Sequence, residues 1–152
     1  MKKTPKGWPR ITPSLYYDNP NAGIEWLCRA FGFEVRLKID GENGRVEHSE
    51  LSFGDDGLIS VGTASPENPD WKKNYTSPQR TGGNTQGLAV FVDDVDAHYA
   101  KAKAEGAVIF RELKTDDYGD DYWADRTYGA LDCEKHQWFF MQRVRDAAPR
   151  GE

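Results

Sequence analysis

A chain that writes the same order of secondary structure twice is confined to folds built from two like halves, and this chain of 152 residues does so. The first copy opens with Ile11-Thr12-Pro13-Ser14-Leu15-Tyr16-Tyr17-Asp18. It continues with Ala22, Ile24, Trp26, Leu27, Ala30 and Phe31 at helical spacing, stops at Gly32, and restarts as Phe33-Glu34-Val35-Arg36-Leu37. The second opens with Gly87-Leu88-Ala89-Val90-Phe91-Val92-Asp93-Asp94, continues with Ala97, Tyr99, Ala100, Ala102 and Ala104, stops at Gly106, and restarts as Ala107-Val108-Ile109-Phe110. Asp18 and Asp93 are 75 positions apart, and Gly32 and Gly106 are 74 apart, so the register holds to one residue.

Each sign has a physical cause. An Asp or Asn after a strand accepts a hydrogen bond from the free N–H groups that start a helix. A Gly after the last apolar helical residue adopts the left-handed conformation that ends one. Runs such as Leu88–Val92 have the branched and aromatic content of buried strands. Strand-like stretches follow each restart: 45–53 and 58–63, joined by a Gly54-Asp55-Asp56-Gly57 hairpin turn, then 126–131 and 137–143. The predicted module is therefore β-α-β-β-β, present at 11–63 and 85–143. Residues 64–84, rich in Pro, Asn, Gly and Thr, read as a linker or lid, and 1–10 and 144–152 as tails.

Composition removes other classes. Hydrophobic residues at 38% and aromatics at 12% supply a core, which disordered chains lack. No apolar run approaches the ~18 residues that cross a bilayer, and the basic start is not followed by the apolar stretch of a secretory signal. A cytoplasmic protein is expected, with no membrane partner. The formal charge is −5, and the halves up to and after Tyr75 hold 10 basic with 11 acidic and 10 with 14. Neither half offers the clustered basic face that a phosphate backbone requires, so nucleic acid is not an expected partner. Cys28 and Cys133 have no CxxC spacing and are expected as buried free thiols, Cys28 on the apolar side of the first helix.

The second module ends in Trp123-Ala124-Asp125-Arg126-Thr127-Tyr128-Gly129 and Asp132-Cys133-Glu134-Lys135-His136-Gln137-Trp138. With the duplicated module and the Val46-Glu47-His48-Ser49-Glu50-Leu51 strand, this resembles the vicinal oxygen chelate superfamily. That group holds glyoxalase I, extradiol dioxygenases, fosfomycin-modifying transferases and bleomycin-resistance proteins. The resemblance covers about Ile11 to Arg143, and its glyoxalase/bleomycin-resistance-like branch is the nearer part. It implies an α+β fold, two tandem βαβββ modules forming a curved mixed-sheet cup, and a homodimer. The chain departs from the branch pattern at Thr127, which is inserted, and at Cys133 and Lys135, which replace Pro and Gly. A Lys in a left-handed Gly position should be strained or rearranged.

Metal-dependent members take their ligands from the first and last strands of each module. Carried over by resemblance, those positions are Thr12, Ser60, Gly87 and Phe139. Two have no donor atom and two are weak hydroxyls, so neither a metal nor any other cofactor is expected. His98 reads as a surface residue on the second helix, and His136 as a structural residue beside a turn. His48 and Glu50, two apart on one strand face, are the acid/base pair if any residues are catalytic. Strand parity puts Thr12, Ser14 and Tyr16 in the cup, together with Leu58, Ser60 and Gly62, and with Gln137, Phe139 and Met141. Residues 115–125 pack five Asp and three aromatics without Lys or Arg, so Tyr122 and Trp123 join the candidate ligand contacts. Trp71 and Tyr75 are lid aromatics or packing anchors.

The leading reading is a metal-independent binder of a small molecule, cationic ones among its candidates, resembling bleomycin-resistance proteins that sequester antibiotics. The rivals are a glyoxalase-like metal-dependent lyase or isomerase, and a stress or regulatory partner protein with a vestigial pocket.

Overall fold

The structure, a computed structural model, describes residues 1–149. The last three residues of the expected C-terminal tail lie outside the described residues. The chain divides between Gly83 and Asn84 into two units, each built on one four-stranded sheet.

The first unit runs β1 (Ser14–Tyr17), α1 (Pro20–Phe31), β2 (Glu34–Asp40), β3 (Val46–Phe53), β4 (Gly57–Thr63) and a short helix α2 (Pro78–Thr81). The sheet order is β1-β4-β3-β2, with β1 parallel to β4 and the other pairs antiparallel. Asn19 caps α1 through its side-chain oxygen, which accepts from Ala22 N at 3.1 Å, and Pro20 needs no donor at the first turn. Gly32, at φ 84°, ends the helix, and its N–H and that of Phe33 reach back to Cys28 and Leu27 carbonyls. Ile24, Leu27, Ala30 and Phe31 are buried beneath the sheet residues Leu15, Tyr17, Leu51 and Val61. Gly23 is required where it stands, because a Cβ there would lie 2.6 Å from the Tyr17 ring. Ala22, expected on the apolar stripe, is exposed, and Cys28 is half-buried rather than in the core.

The β3–β4 ladder is regular only over Leu51–Phe53. Beyond it, side chains stand in for backbone partners. Ser49 Oγ donates to Val61 O at 2.6 Å and accepts from Val61 N at 2.9 Å, and Thr63 Oγ1 accepts from Val46 N at 2.9 Å. Those hydroxyls satisfy backbone groups that a buried, loosened ladder would leave unpaired.

The second unit runs β5 (Gly87–Phe91), α3 (Val95–Ala104), β6 (Val108–Asp117), β7 (Ala124–Leu131) and β8 (Gln137–Arg145), ordered β5-β8-β7-β6 with β5 parallel to β8. Asp94 caps α3 by accepting from Ala97 N at 2.9 Å. The stripe expected on this helix is only in part its packing face: Tyr99 and Ala102 turn inward, whereas Ala97, Ala100 and Ala104 are exposed. The inward row is Val95, His98, Tyr99 and Ala102, which follows the helical period and brings larger side chains to the sheet. His98, expected at the surface, is half-buried; its Nδ1 lies 2.6 Å from the Tyr128 hydroxyl and its ring 4.2 Å from that of Phe140. Burial pushes the Tyr128 phenol well above its ordinary range, so it stays protonated.

The β7–β8 turn is held by one buried carboxylate. Asp132 accepts from Glu134 N, His136 N and Trp138 Nε1, each at 3.0 Å. Lys135 occupies the left-handed conformation, φ 71°, that the branch pattern gives to Gly. The strained alternative is thus realised, at an exposed position. Cys133, expected as a buried thiol, is exposed on the same turn.

Two outcomes follow for thermal and chemical denaturation. Asp132→Ala leaves three buried donors without their acceptor and should destabilise the protein by roughly 3 kcal/mol. Lys135→Gly relieves the left-handed strain and should be neutral to stabilising by up to about 1 kcal/mol, because added unfolded-state freedom offsets part of the relief.

Candidate functional site

Alternation along the strands decides which side chains face away from the helix. In β1, Leu15 and Tyr17 are buried against α1, so Ser14 and Tyr16 point to the other face. In β4, Val61 is buried, and Ser60 and Gly62 are half-exposed. On that face the first unit carries a hollow of about 290 Å³, lined by Thr12, Ser14, Tyr16, His48 and Ser60 among others. The parallel pairing of Ser14 with Ser60 and Tyr16 with Gly62 sets these groups side by side. Gly62 is small for a reason: a Cβ there would come within 3.2 Å of the Tyr16 ring.

Glu50 supports the hollow from the side. Its Oε1 accepts from His48 Nε2 at 3.1 Å and its Oε2 from Arg36 Nε at 2.7 Å, and the residue is 8% exposed. The His48 hydrogen bond, followed by the Arg36 hydrogen bond and charge, holds the carboxyl below its ordinary range against the opposing effect of burial. Arg36 continues outward. Its Nη1 donates to Gly7 O at 2.5 Å, and its guanidinium lies 4.8 Å from the centre of the Trp8 ring. The segment expected as an N-terminal tail therefore lies against this unit, and Trp8 is one wall of the hollow.

Trp71 and Lys72, from a single 3₁₀ turn at Asp70–Lys72, also border it. The 64–83 segment that carries them is fastened at several points. Arg45 donates to Asn68 Oδ1 at 2.6 Å, Arg80 pairs with Asp18 at 2.6 Å, and Tyr75 lies flat on Tyr16 with centroids 4.2 Å apart. Tyr75 is thus a packing anchor. Sequence reasoning missed Trp8 and Arg36. The only signal for Trp8 was a large aromatic in a segment otherwise fit for a tail.

Of the ten candidate contacts, Thr12, Ser14, Tyr16, His48 and Ser60 line one hollow and Glu50 buttresses it. The other four belong to the second unit and do not converge. Gln137 and Phe139 pair with Leu131 and Gly129, whereas Tyr122 and Trp123 precede Ala124 at the far end of β7. That is roughly 20 Å along the strand. Around Phe139 the open face is apolar: Phe110 meets it edge-on at 5.5 Å, and Gly129 has no room for a Cβ because Phe110 lies over it.

The acidic stretch is shorter as a loop than the sequence suggests, since Thr115–Asp117 extend β6 opposite Ala124–Arg126. The cations absent from 115–125 come from its own strand upstream, Arg111 and Lys114, and from β8, Arg143 and Arg145. Asp116 pairs with Arg111 and, at 3.1 Å, with Lys114; Asp117 pairs with Arg145; Asp125 pairs with Arg143 at 2.6 Å. Hydrogen bonds from Arg111 and Lys114 lower the Asp116 carboxyl, and the Gly119 N–H and Arg145 lower Asp117. Three of the five carboxylates are neutralised in place. Trp123 lies over Arg143, 5.3 Å from ring centre to guanidinium.

Among the described residues, no three His, Cys, Asp or Glu side chains gather as a metal would require. The carried-over positions Thr12, Ser60, Gly87 and Phe139 do not fit an ion, because two have no donor atom. Burial, with the charge of Glu34 adding to it, pushes the Cys28 thiol upward, the wrong direction for a nucleophile. No helix among the described residues is long and apolar enough to cross a membrane.

Known proteins place the chain. An uncharacterized protein of Mycobacterium bovis is 25% identical over 138 residues, 91% of this chain and 86% of that one. TioX from Micromonospora sp. ML1 is 28% identical, with a TM-score of 0.65 over 94% of this chain and 100% of that structure. TnmS3, an antibiotic binding protein from Streptomyces sp. CB03234, shares the fold with a TM-score of 0.59 at 17% identity, over 86% and 92%. The family model described as Glyoxalase/Bleomycin resistance protein/Dioxygenase superfamily matches residues 10–138, and the chain belongs to that superfamily.

Proposed function

We propose that this protein binds a small organic molecule in the hollow of its first unit, without a metal, in the manner of the bleomycin-resistance-like members of its superfamily. The observation that carries this reading is the lining itself. Four hydroxyls, from Thr12, Ser14, Tyr16 and Ser60, and one imidazole surround a space of about 290 Å³ bordered by two indoles. A few convergent hydrogen-bonding groups within an aromatic wall suit an oriented organic guest. Superfamily membership, and a protein of the same fold that binds an antibiotic, are consistent with small-molecule binding. Sequestration of an antibiotic or metabolite in the cytoplasm is the role this reading assigns. A preference for cationic guests draws no support from the paired carboxylates of 115–125; only Asp120 and Asp121 of that stretch remain as its basis.

The lyase reading has one observation in its favour, the His48–Glu50 contact. Held ionised by His48 and Arg36, with both oxygens engaged, Glu50 is not the acid of such a reaction; it orients His48, which either reading can use. The homodimer expected from the resemblance would need an apolar face to cover, and Val35, Leu37 and Ile39 on β2 are about half open to water. Sedimentation should therefore return a dimer mass, and a monomer mass would contradict the homodimer.

Thermal-shift titration against bleomycin-type glycopeptides, aromatic antibiotics and a metabolite panel tests the binding role. A true ligand at 100 times its Kd should add about 2.7 kcal/mol of stability. His48→Ala and Ser60→Ala should each weaken that response, and a panel without a single responder contradicts the reading. Elemental analysis of protein purified without chelators should find no stoichiometric metal; one equivalent of nickel, zinc, manganese or iron would favour the lyase.

The Glu50 carboxyl gives a pH test. Because its folded value lies below the unfolded one, its stabilisation is complete above the ordinary carboxylate range and is lost as pH falls through the lowered value. The stability gap between the wild type and Glu50→Gln should persist from pH 7 down to about 4 and close below it. A gap that instead widened with acid would contradict an ionised Glu50.

A further inference from the structure

The chain has five tryptophans. Two of them border the hollow although neither belongs to the sheet: Trp8 arrives on the N-terminal arm and Trp71 on the segment after β4. Both are open to water, at 38% and 71% exposure, and together they place two indoles on the rim of one hollow. Each already has a cation over it. The Arg36 guanidinium lies 4.8 Å from the Trp8 ring centre, and the Lys72 ammonium 4.8 Å from that of Trp71. A cation draws on the negative face of an aromatic quadrupole. The opposite face of the same ring is then a worse host for a second cation and remains a good one for another π-system. The charged groups that line the hollow, Glu47 and Lys72, are of opposite sign and exert little net pull on a charged guest.

The Trp8 wall is also tied to the floor. Arg36 donates to Glu50 and to the Gly7 carbonyl at once, and Glu50 accepts from His48. One guanidinium therefore fixes both the arm and the carboxylate that orients the imidazole. The size of the hollow is near the lower end of the ~300–1,000 Å³ common for ligand pockets, which suits two fused rings and excludes a whole glycopeptide.

We infer that the guest of this hollow is an uncharged, flat aromatic molecule seated against Trp8 and Trp71, with Arg36 the positioning residue that holds the Trp8 wall in place. This rests on the hollow being the binding site proposed above.

Calorimetric and tryptophan-fluorescence titrations of the full chain with three probes test it: naphthalene-2,6-diol, its saturated counterpart decahydronaphthalene-2,6-diol, and the cation N-methylquinolinium. The aromatic diol should bind and quench, and the other two should bind about tenfold more weakly or not at all. Trp8→Leu and Trp71→Leu should each weaken the diol by about fivefold, the value of one aromatic contact. Arg36→Gln should weaken it comparably, and in the Trp8→Leu background its effect on binding should shrink to the part carried through Glu50 and His48, whereas a general loss of stability would leave it undiminished. Equal binding of the saturated diol or the quinolinium overturns the inference. Diol binding that depends on His48 and ignores both tryptophans overturns it too, while leaving the hollow as the site. If none of the three binds, the inference fails, and the hollow stands or falls on the wider panel.

Discussion

Each unit has one long helix and one four-stranded sheet, so a single helix covers one face of each sheet and the opposite face must be accounted for some other way. Everything of functional interest in the first unit follows from that imbalance. The helix-facing row, Leu15, Tyr17, Leu51 and Val61, is apolar and buried. The reverse row, Ser14, Tyr16, Ser60 and His48, is polar or amphipathic and borders a hollow. In the second unit the same geometry leaves Phe139, Phe110 and Phe91 on the reverse side, an apolar surface without convergent polar groups. The first unit's reverse face presents hydroxyls and an imidazole, whereas the second's is mainly aromatic, with the Arg143 guanidinium 5.4 Å from the Phe91 ring centre. Duplication supplied two similar scaffolds, and their reverse faces differ in chemistry.

The parts legible in the sequence were those that depend on near neighbours. Caps at Asn19 and Asp94, the helix stop at Gly32, and the alternation that puts Ser14 with Tyr16 and Gln137 with Phe139 are all decided within a few residues of chain. The Lys135 departure also announced its own consequence, a left-handed residue without glycine's freedom. What local reading could not supply was pairing across the sheet. The run 115–125 looks anionic along the chain, yet Arg143 and Arg145 reach Asp125 and Asp117 from β8, and Arg111, just upstream on β6, pairs with Asp116, so three of its five charges are matched. The α3 stripe held only at Tyr99 and Ala102, for a related reason. The sheet beneath presents Tyr128 and Phe140, and the longer Tyr99 and His98 reach those rings while Ala97, Ala100 and Ala104 stay exposed.

The site is also wider than the strands. Arg36, half-hidden in a β2 whose apolar residues are exposed, links an N-terminal arm to a buried carboxylate and through it to an imidazole. That chain of charge-assisted hydrogen bonds explains how Glu50 can be nearly buried and still ionised: two donors replace the water it gave up. It also explains why a His–Glu pair that resembles catalytic equipment is poorly placed for acid chemistry. The donors that stabilise the carboxylate remove its capacity to act as an acid, and leave His48 oriented as a hydrogen-bonding contact for whatever enters.

The central claim is one of place: the guest sits in the first unit's hollow. The five indole N–H signals in a ¹⁵N spectrum report on it directly, because Trp8 and Trp71 border the hollow, Trp26 and Trp138 are buried in the cores, and Trp123 lies in the other unit's loop. Titrating in a ligand should move the Trp8 and Trp71 signals and leave those of Trp26, Trp138 and Trp123 in place. Movement of Trp123 with Trp8 and Trp71 unchanged would put the guest elsewhere and contradict the account.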